Sequence, residues 1–112
     1  MTAFLAQAIL YPFEVVVPAS TSIDADVLPV SDFCALKYFI CFSDDPATKW
    51  HSIEMLVGKD STLGFESNQF GSLGDAIDIK TNFSLSGSDG KLVLTNNEIF
   101  PIRAKISRHV VS

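Results

Sequence analysis

The chain has 112 residues, 47% of them hydrophobic and 19% charged, with a net charge of -5; that length suits one domain and leaves no room for an added catalytic module. The acidic balance argues against a nucleic-acid partner, whose phosphates require a basic footprint, and the apolar content excludes intrinsic disorder. No run approaches the roughly 18 to 20 apolar residues of a membrane span, so a positive mean hydropathy of +0.29 implies apolar surface shared with partners.

Met1–Leu10 (MTAFLAQAIL) lacks the basic n-region of a secretory signal, and Gln7 interrupts its apolar run, so it is expected to stay in the mature protein. Tyr11–Val17 reads as a strand and Pro18–Ser22 as a polar connector. Phe33–Ser43 (FCALKYFICFS) is apolar on both faces and is expected to sit deep, as a central strand covered on both sides. Cys34 and Cys41 point to opposite faces of that strand with about 23 Å of extended chain between them, too far to pair. Two buried free thiols are expected.

Asp44–Thr48 has turn chemistry, and Trp50–Val57 follows with His51, Ile53, Met55 and Val57 on one side. Gly58–Ser61 turns the chain into a strand around Thr62–Ser67. Asn68–Gly74 (NQFGSLG) reads as a glycine-bearing loop whose Phe70 folds over an open sheet end. Ile77–Leu85 alternates most clearly, with Ile77, Ile79, Thr81, Phe83 and Leu85 against Asp78, Lys80, Asn82 and Ser84. Ser86–Gly90 supplies glycines for a hairpin loop into Lys91–Thr95. In the last strand Ile102, Ala104, Ile106 and Val110 oppose Arg103, Lys105, Ser107 and His109. Arg108 falls on the apolar side, where it must snorkel to the sheet's end or pair with a carboxylate.

The pattern predicts an all-β fold: a small antiparallel β-sandwich of about seven or eight strands, jelly-roll or Ig-like, with an extended N-terminal arm. A small barrel is the alternative. Residues 1–17 form the arm or first strand, a docking segment, and residues 18–112 the sandwich domain. No Lys or Arg precedes Lys37, where Glu14, Asp24, Asp26 and Asp32 lie, while Arg103, Lys105 and Arg108 follow Pro101 without an acid. Two separate solvated surfaces are expected from this asymmetry, with head-to-tail contact between copies as the other reading.

The chemistry-bearing residues are sparse. His51 and His109 lie in predicted strands, no G-x-S-x-G turn occurs, and neither cysteine sits in an oxyanion-type loop, so no nucleophilic triad is expected. Two Cys and two distant His do not make a zinc set. Asp24-Ala25-Asp26, Asp44-Asp45 and Asp75 with Asp78 lack the dense oxygen series of a calcium loop. Gly87–Lys91 misses the spacing of a phosphate loop and leads into a strand. Asn82-Phe83-Ser84 meets the glycosylation sequon with no sign of secretion beside it. A carboxylate pair for glycoside hydrolysis would lack a long active-site loop to hold it. No catalytic residue, metal or cofactor is predicted.

The run Ser31-Asp32-Phe33-Cys34-Ala35-Leu36-Lys37-Tyr38-Phe39-Ile40 resembles a segment of structural proteins of tailed bacteriophages, where an aromatic, a small residue and then Lys-Tyr-x-Ile open a β-sandwich module. Glu54, Leu56 and Asp60 match the strand and turn that follow there. Phe83, Ser84, Gly87 and Gly90 match a strand leading to a glycine hairpin. Leu92, Leu94 and Thr95 match a Leu-x-Leu-Thr strand, and Lys105 and Arg108 a closing one. The chain departs from that pattern at Cys34, where Arg is common, and over Gln69–Gly74. The resemblance implies a non-enzymatic virion structural protein: a capsid decoration or cement protein, or a small neck, tail or baseplate adaptor. Its partners would be other copies of itself, as a trimer, and major capsid or tail proteins.

Phe4, Leu5, Ile9, Leu10, Tyr11 and Phe13, ahead of that module, are the expected interface residues, because an apolar arm outside the alternating body suits docking on a neighbour. Two rivals stand beside this reading. A carbohydrate-binding module of a receptor-binding appendage predicts Trp50 or Tyr11 on an exposed concave face. A small hydrolase predicts His51 or His109 within hydrogen-bond reach of a Ser or Cys and a carboxylate.

Overall fold

The structure, a computed structural model, describes residues 13–59 and 65–111. In it, eight strands form two antiparallel sheets: β1 (Phe13–Val17), β2 (Thr21–Pro29), β3 (Ala35–Asp44), β4 (Trp50–Lys59), β5 (Phe65–Gly74), β6 (Ile79–Ser86), β7 (Asp89–Asn96) and β8 (Ile102–Val111). Five strands in the order β1-β8-β3-β4-β5 make one sheet, and three in the order β2-β7-β6 make the other. The expected all-β sandwich is what the chain adopts.

Alternation sets the core. Leu36, Tyr38, Ile40 and Phe42 of β3, Ile53, Met55 and Val57 of β4, and Ile102, Ala104 and Ile106 of β8 turn inward from the five-stranded sheet. Leu92 and Leu94 of β7 and Phe83 of β6 meet them from the other. The Phe33 and Phe83 rings pack edge to face with centroids 6.1 Å apart. Each fully buried aliphatic side chain contributes about 1.5–3 kcal/mol, which is how a domain of this size offsets its ordering entropy.

Four expectations are corrected. The run Phe33–Ser43 is not covered on both sides: β3 has strands on both edges but a neighbouring layer on one face only, and Phe39 on the other is 50% exposed. The apolar residues of that run therefore overstate its burial. The thiols follow the same geometry, since Cys34 is exposed and Cys41 half-buried, both free. Asn68–Gly74 is not a loop but the second half of β5, an edge strand in which Gly71 sits opposite Glu54 beside a register shift. Edge position and the irregularity tolerate glycines that a central strand would not.

The fourth correction is β2, which the period missed beyond Ser22. Ile23 faces inward opposite Leu94 and Asp24 outward opposite Val93, but the register shifts between Asp24 and Asp26. Ala25 is the extra residue, and the phase of the strand flips after it. Asp26, which simple alternation would turn to solvent, is thereby aimed between the sheets.

Two turns depend on glycine. Gly87 (φ 63°) opens the two-residue link between β6 and β7, as a type II′ hairpin requires. Gly74 (φ 107°) ends β5 where a Cβ would overlap the carbonyl oxygen of Trp50, the same oxygen that accepts the Asp75 backbone N–H at 2.7 Å. Gly74→Ala is expected to lower stability by about 1–3 kcal/mol from the backbone alone, read as a drop in the urea midpoint with an unchanged slope.

Candidate interaction surface

Because the three-stranded sheet covers one face of the five-stranded sheet, the opposite face meets solvent. Six large apolar side chains lie there: Val16 on β1, Phe39 on β3, Trp50 and Leu56 on β4, Leu73 on β5 and Val111 on β8, each 46 to 77% exposed. The registers place them. Phe39 sits between Glu54 and Ser107, with Leu56 on the diagonal opposite Lys37, and Leu73 lies opposite Ser52. Diagonal cross-strand neighbours are about 7–8 Å apart, so Phe39 and Leu56 form one apolar patch.

Lys37 and Glu54 take the other diagonal of the same four residues, so an ion pair crosses that patch. The Lys37 ammonium lies 5.0 Å from the Phe39 ring centroid and 3.6 Å from the Glu54 carboxylate. Arg103 reaches Glu14 at 3.0 Å and Asp45 at 3.6 Å. Exposed ion pairs of this kind contribute about 0–1 kcal/mol; their effect is to hold long side chains along the apolar surface.

The same pairs revise the charge asymmetry. Glu14 meets Arg103, Asp24 meets Lys91 at 3.2 Å and Asp26 meets Arg108 at 2.7 Å. Three of the four acids ahead of Lys37 are thus bridged to bases of the second half within one chain. Two unconnected solvated surfaces is not what the fold makes of them, because β8 and β7 return beside β1 and β2.

Inside the sandwich, Arg108 lies opposite Tyr38 in register, and both turn toward Asp26. The Arg108 Nη1 donates to both Asp26 oxygens, at 2.7 and 2.9 Å, and the Tyr38 hydroxyl donates to Asp26 Oδ2 at 2.8 Å. Arg108 thus pairs with a carboxylate, as its place on the apolar side of β8 requires. Burial, and then the neighbouring Asp26 charge and hydrogen bond, push the Tyr38 phenol far above its ordinary value, against a smaller lowering by Arg108. This is an arrangement that holds structure.

At the end of the sandwich holding the β3–β4 turn, Asp44 accepts hydrogen bonds from the Thr48 hydroxyl (2.6 Å), the Thr48 N–H (2.6 Å) and the Lys49 N–H (2.8 Å). These donors, the Thr48 hydroxyl foremost, hold its carboxyl below the usual carboxylate range. His51 is half-buried with its Nδ1 unpartnered, and His109 is exposed on β8. Among the described residues no hydrogen bond links either to a Ser or Cys with a carboxylate behind it, and no three His, Cys, Asp or Glu side chains converge as metal ligands. No helix among them is long and apolar enough to cross a membrane. An open depression lined by Leu56, Gly58, Lys59, Ser67 and Asn68 borders the apolar face.

Of the expected interface residues, Phe13 is half-buried in β1 and packed against the core. Phe4, Leu5, Ile9, Leu10 and Tyr11 lie outside the described residues. Sequence reasoning missed Phe39, Leu56 and Leu73 as surface residues. The available signal was their place opposite Lys37, Glu54 and Ser52, polar positions that mark a wet face once the register is known.

No protein-family model matches the chain, and no curated protein matches it. Among solved structures it is similar over 88% of its length to the tailspike protein of Acinetobacter baumannii phage AM24, with a TM-score of 0.50 and 8% identity. It is also similar over 93% of its length to the tailspike protein of Acinetobacter phage vB_ApiP_P1, with a TM-score of 0.44 and 18% identity. The chain spans 25% and 20% of those two proteins respectively. The first likeness is one of fold: a β-rich module of this shape occurs within a phage tailspike.

Proposed function

We propose that the chain is a non-enzymatic structural module of a bacteriophage virion, a capsid decoration or cement protein or a small neck, tail or baseplate adaptor, acting through contacts with other copies of itself and with capsid or tail proteins. The observation that carries this reading is the apolar outer face of the five-stranded sheet, with Phe39, Leu56 and Leu73 exposed on three adjacent strands. Isolated exposed apolar residues are ordinary, but several gathered on one rigid face fit a surface that is covered in an assembly. The ordered strand motifs from Ser31 onward and the fold likeness to a tailspike support the phage setting.

The test is Phe39→Glu with Leu56→Glu. Both side chains are about half exposed, so the variant is expected to fold with a Tm near that of the parent. Self-association by native mass spectrometry and incorporation into particles are expected to fall at least tenfold. Unchanged incorporation would sink the proposal. Trp50, 47% exposed on the same face, favours a second reading, glycan binding by a receptor-binding appendage. A glycan-array signal abolished by Trp50→Ala would favour that reading instead.

A further inference from the structure

The outer face of the five-stranded sheet carries a block of four residues that is its own complement. On β3 and β4, Phe39 stands beside Glu54 and Lys37 beside Leu56. The apolar pair therefore occupies one diagonal and the opposite charges the other, with the Lys37 ammonium 3.6 Å from the Glu54 carboxylate. All four reach solvent: Phe39 and Leu56 are half exposed, and the Lys37 and Glu54 side chains are 40% and 25% exposed.

The surroundings of the block let a flat surface approach it. Six of its neighbours on the same face are small: Ala35 opposite Gly58, Cys41 opposite Ser52, Ser107 beside Phe39 and Gly71 beside Glu54. The four larger side chains thus stand out from a low collar.

A surface laid on this block must offer an acid over Lys37, a base over Glu54 and apolar groups between them. The chain's own outer face is such a surface. A two-fold axis along the Phe39–Leu56 diagonal, in the plane between two facing sheets, sets Phe39 on Phe39, Leu56 on Leu56 and each Lys37 over the Glu54 of the other copy. With about 6.8 Å per two residues along a strand and about 4.8 Å between strands, that axis lies about 35° from the strands and the two sheets cross at about 70°. This is near the orthogonal class of sheet packing. The overlap of two five-stranded faces, about 24 Å on a side, is about 600 Å² per copy, at the lower bound of a stable interface.

We infer that the chain pairs with a second copy by stacking these outer faces about that axis, with Lys37 and Glu54 exchanging partners between copies. This rests on the proposed self-association and gives it a face, an axis and a register. The ion pairs supply register more than affinity, because each exists within one copy before association, whereas like charges placed face to face are what the contact rejects. A contact of this symmetry is closed and links copies by twos, where a trimer needs a head-to-tail one.

The experiment uses the full chain in four forms: the parent, Lys37→Glu, Glu54→Lys and both changes together. Sedimentation equilibrium measures association, native mass spectrometry counts the copies and urea midpoints check the fold. A parent dimer is expected, and each single reversal is expected to weaken it at least tenfold, because two acids or two bases then face each other. Mixing Lys37→Glu with Glu54→Lys, one of them isotope-labelled, is expected to give mixed dimers of near-parent strength, and the double reversal to dimerise by itself. Rescue by mixing is a readout that loss of the pair within one chain would not move. Single reversals that associate like the parent, losses that neither mixing nor the double reversal restores, or a parent trimer would overturn the inference and leave the proposed function standing. A parent that stays monomeric at every concentration overturns it too; if that monomer also fails to enter particles, the proposed function falls with it.

Discussion

Asp26→Ala is expected to lower the free energy of unfolding by about 3–5 kcal/mol, the usual cost of removing one partner from a buried ion pair. The loss strands the Arg108 guanidinium and the Tyr38 hydroxyl, which both converge on that carboxylate. Since domains of this size have only about 5–15 kcal/mol in total, the variant should melt roughly 10–20 °C lower. The triple replacement Asp26→Leu, Arg108→Met and Tyr38→Phe removes every polar member at once. It is expected to recover most of the loss, because apolar substitutes for a buried pair are often neutral or stabilising. A triple variant as unstable as Asp26→Ala would mean that shape at this site, rather than the stranded charge, sets the cost.

The same set gives the chain an alkaline limit. Tyr38 is held protonated in the fold, whereas in the unfolded chain a tyrosine ionises near pH 10. The contribution is thus fully present below about pH 10 and declines above it, by up to about 1.4 kcal/mol per pH unit. In Tyr38→Phe that component is absent, so the gap between the two proteins in urea melts should narrow from pH 9 to pH 11. A constant gap would contradict the assignment.

Asn96→Ala is the second large effect. This side chain is fully buried at the end of β7. Its amide nitrogen donates to the carbonyls of Val17 (3.1 Å), Pro18 (3.2 Å) and Phe100 (2.8 Å), and its oxygen accepts the Glu98 N–H at 2.8 Å. One residue thereby ties the β1–β2 corner to the β7–β8 link. Each buried group left unpaired costs about 1–3 kcal/mol, so a loss of at least about 2 kcal/mol is expected in chemical denaturation. Asn96→Asp, nearly the same shape, should be no milder, because it sets a carboxylate against three carbonyl oxygens. A loss below about 1 kcal/mol would indicate that water replaces the amide.

What could be read from the residues was the alternation of β4, β6, β7 and β8, and with it the sandwich and the placement of Arg108. What could not be read depended on partners distant in sequence. Asp26 faces inward because of an extra residue in β2, and a period-2 pattern carries no mark of a bulge until the register against β7 is known. Phe39 and Leu56 look like core residues in isolation; only the five-against-three stacking of the sheets exposes them. The β5 edge was hidden by its glycines. Asn96, followed by Asn97 and Glu98 at the end of β7, had no local pattern to separate it from an ordinary turn residue.

The position of β8 also governs how the chain can fold. β8 lies between β1 and β3, so β1 and β3 have no shared partner until Ile102–Val111 has left the ribosome. Closing the pair of β1 with β8 joins Phe13 to Ile106, nearly the longest loop available among the described residues. Non-local pairing of this kind places β-sandwiches among the slow folders, on the millisecond to second scale. During synthesis β3 and β4 can form a hairpin whose far edge waits for β8, and that waiting edge is where mispairing with another nascent chain would begin. A chain stopped before Ile102 would lose the middle of the larger sheet, and is expected to aggregate rather than persist as a smaller domain.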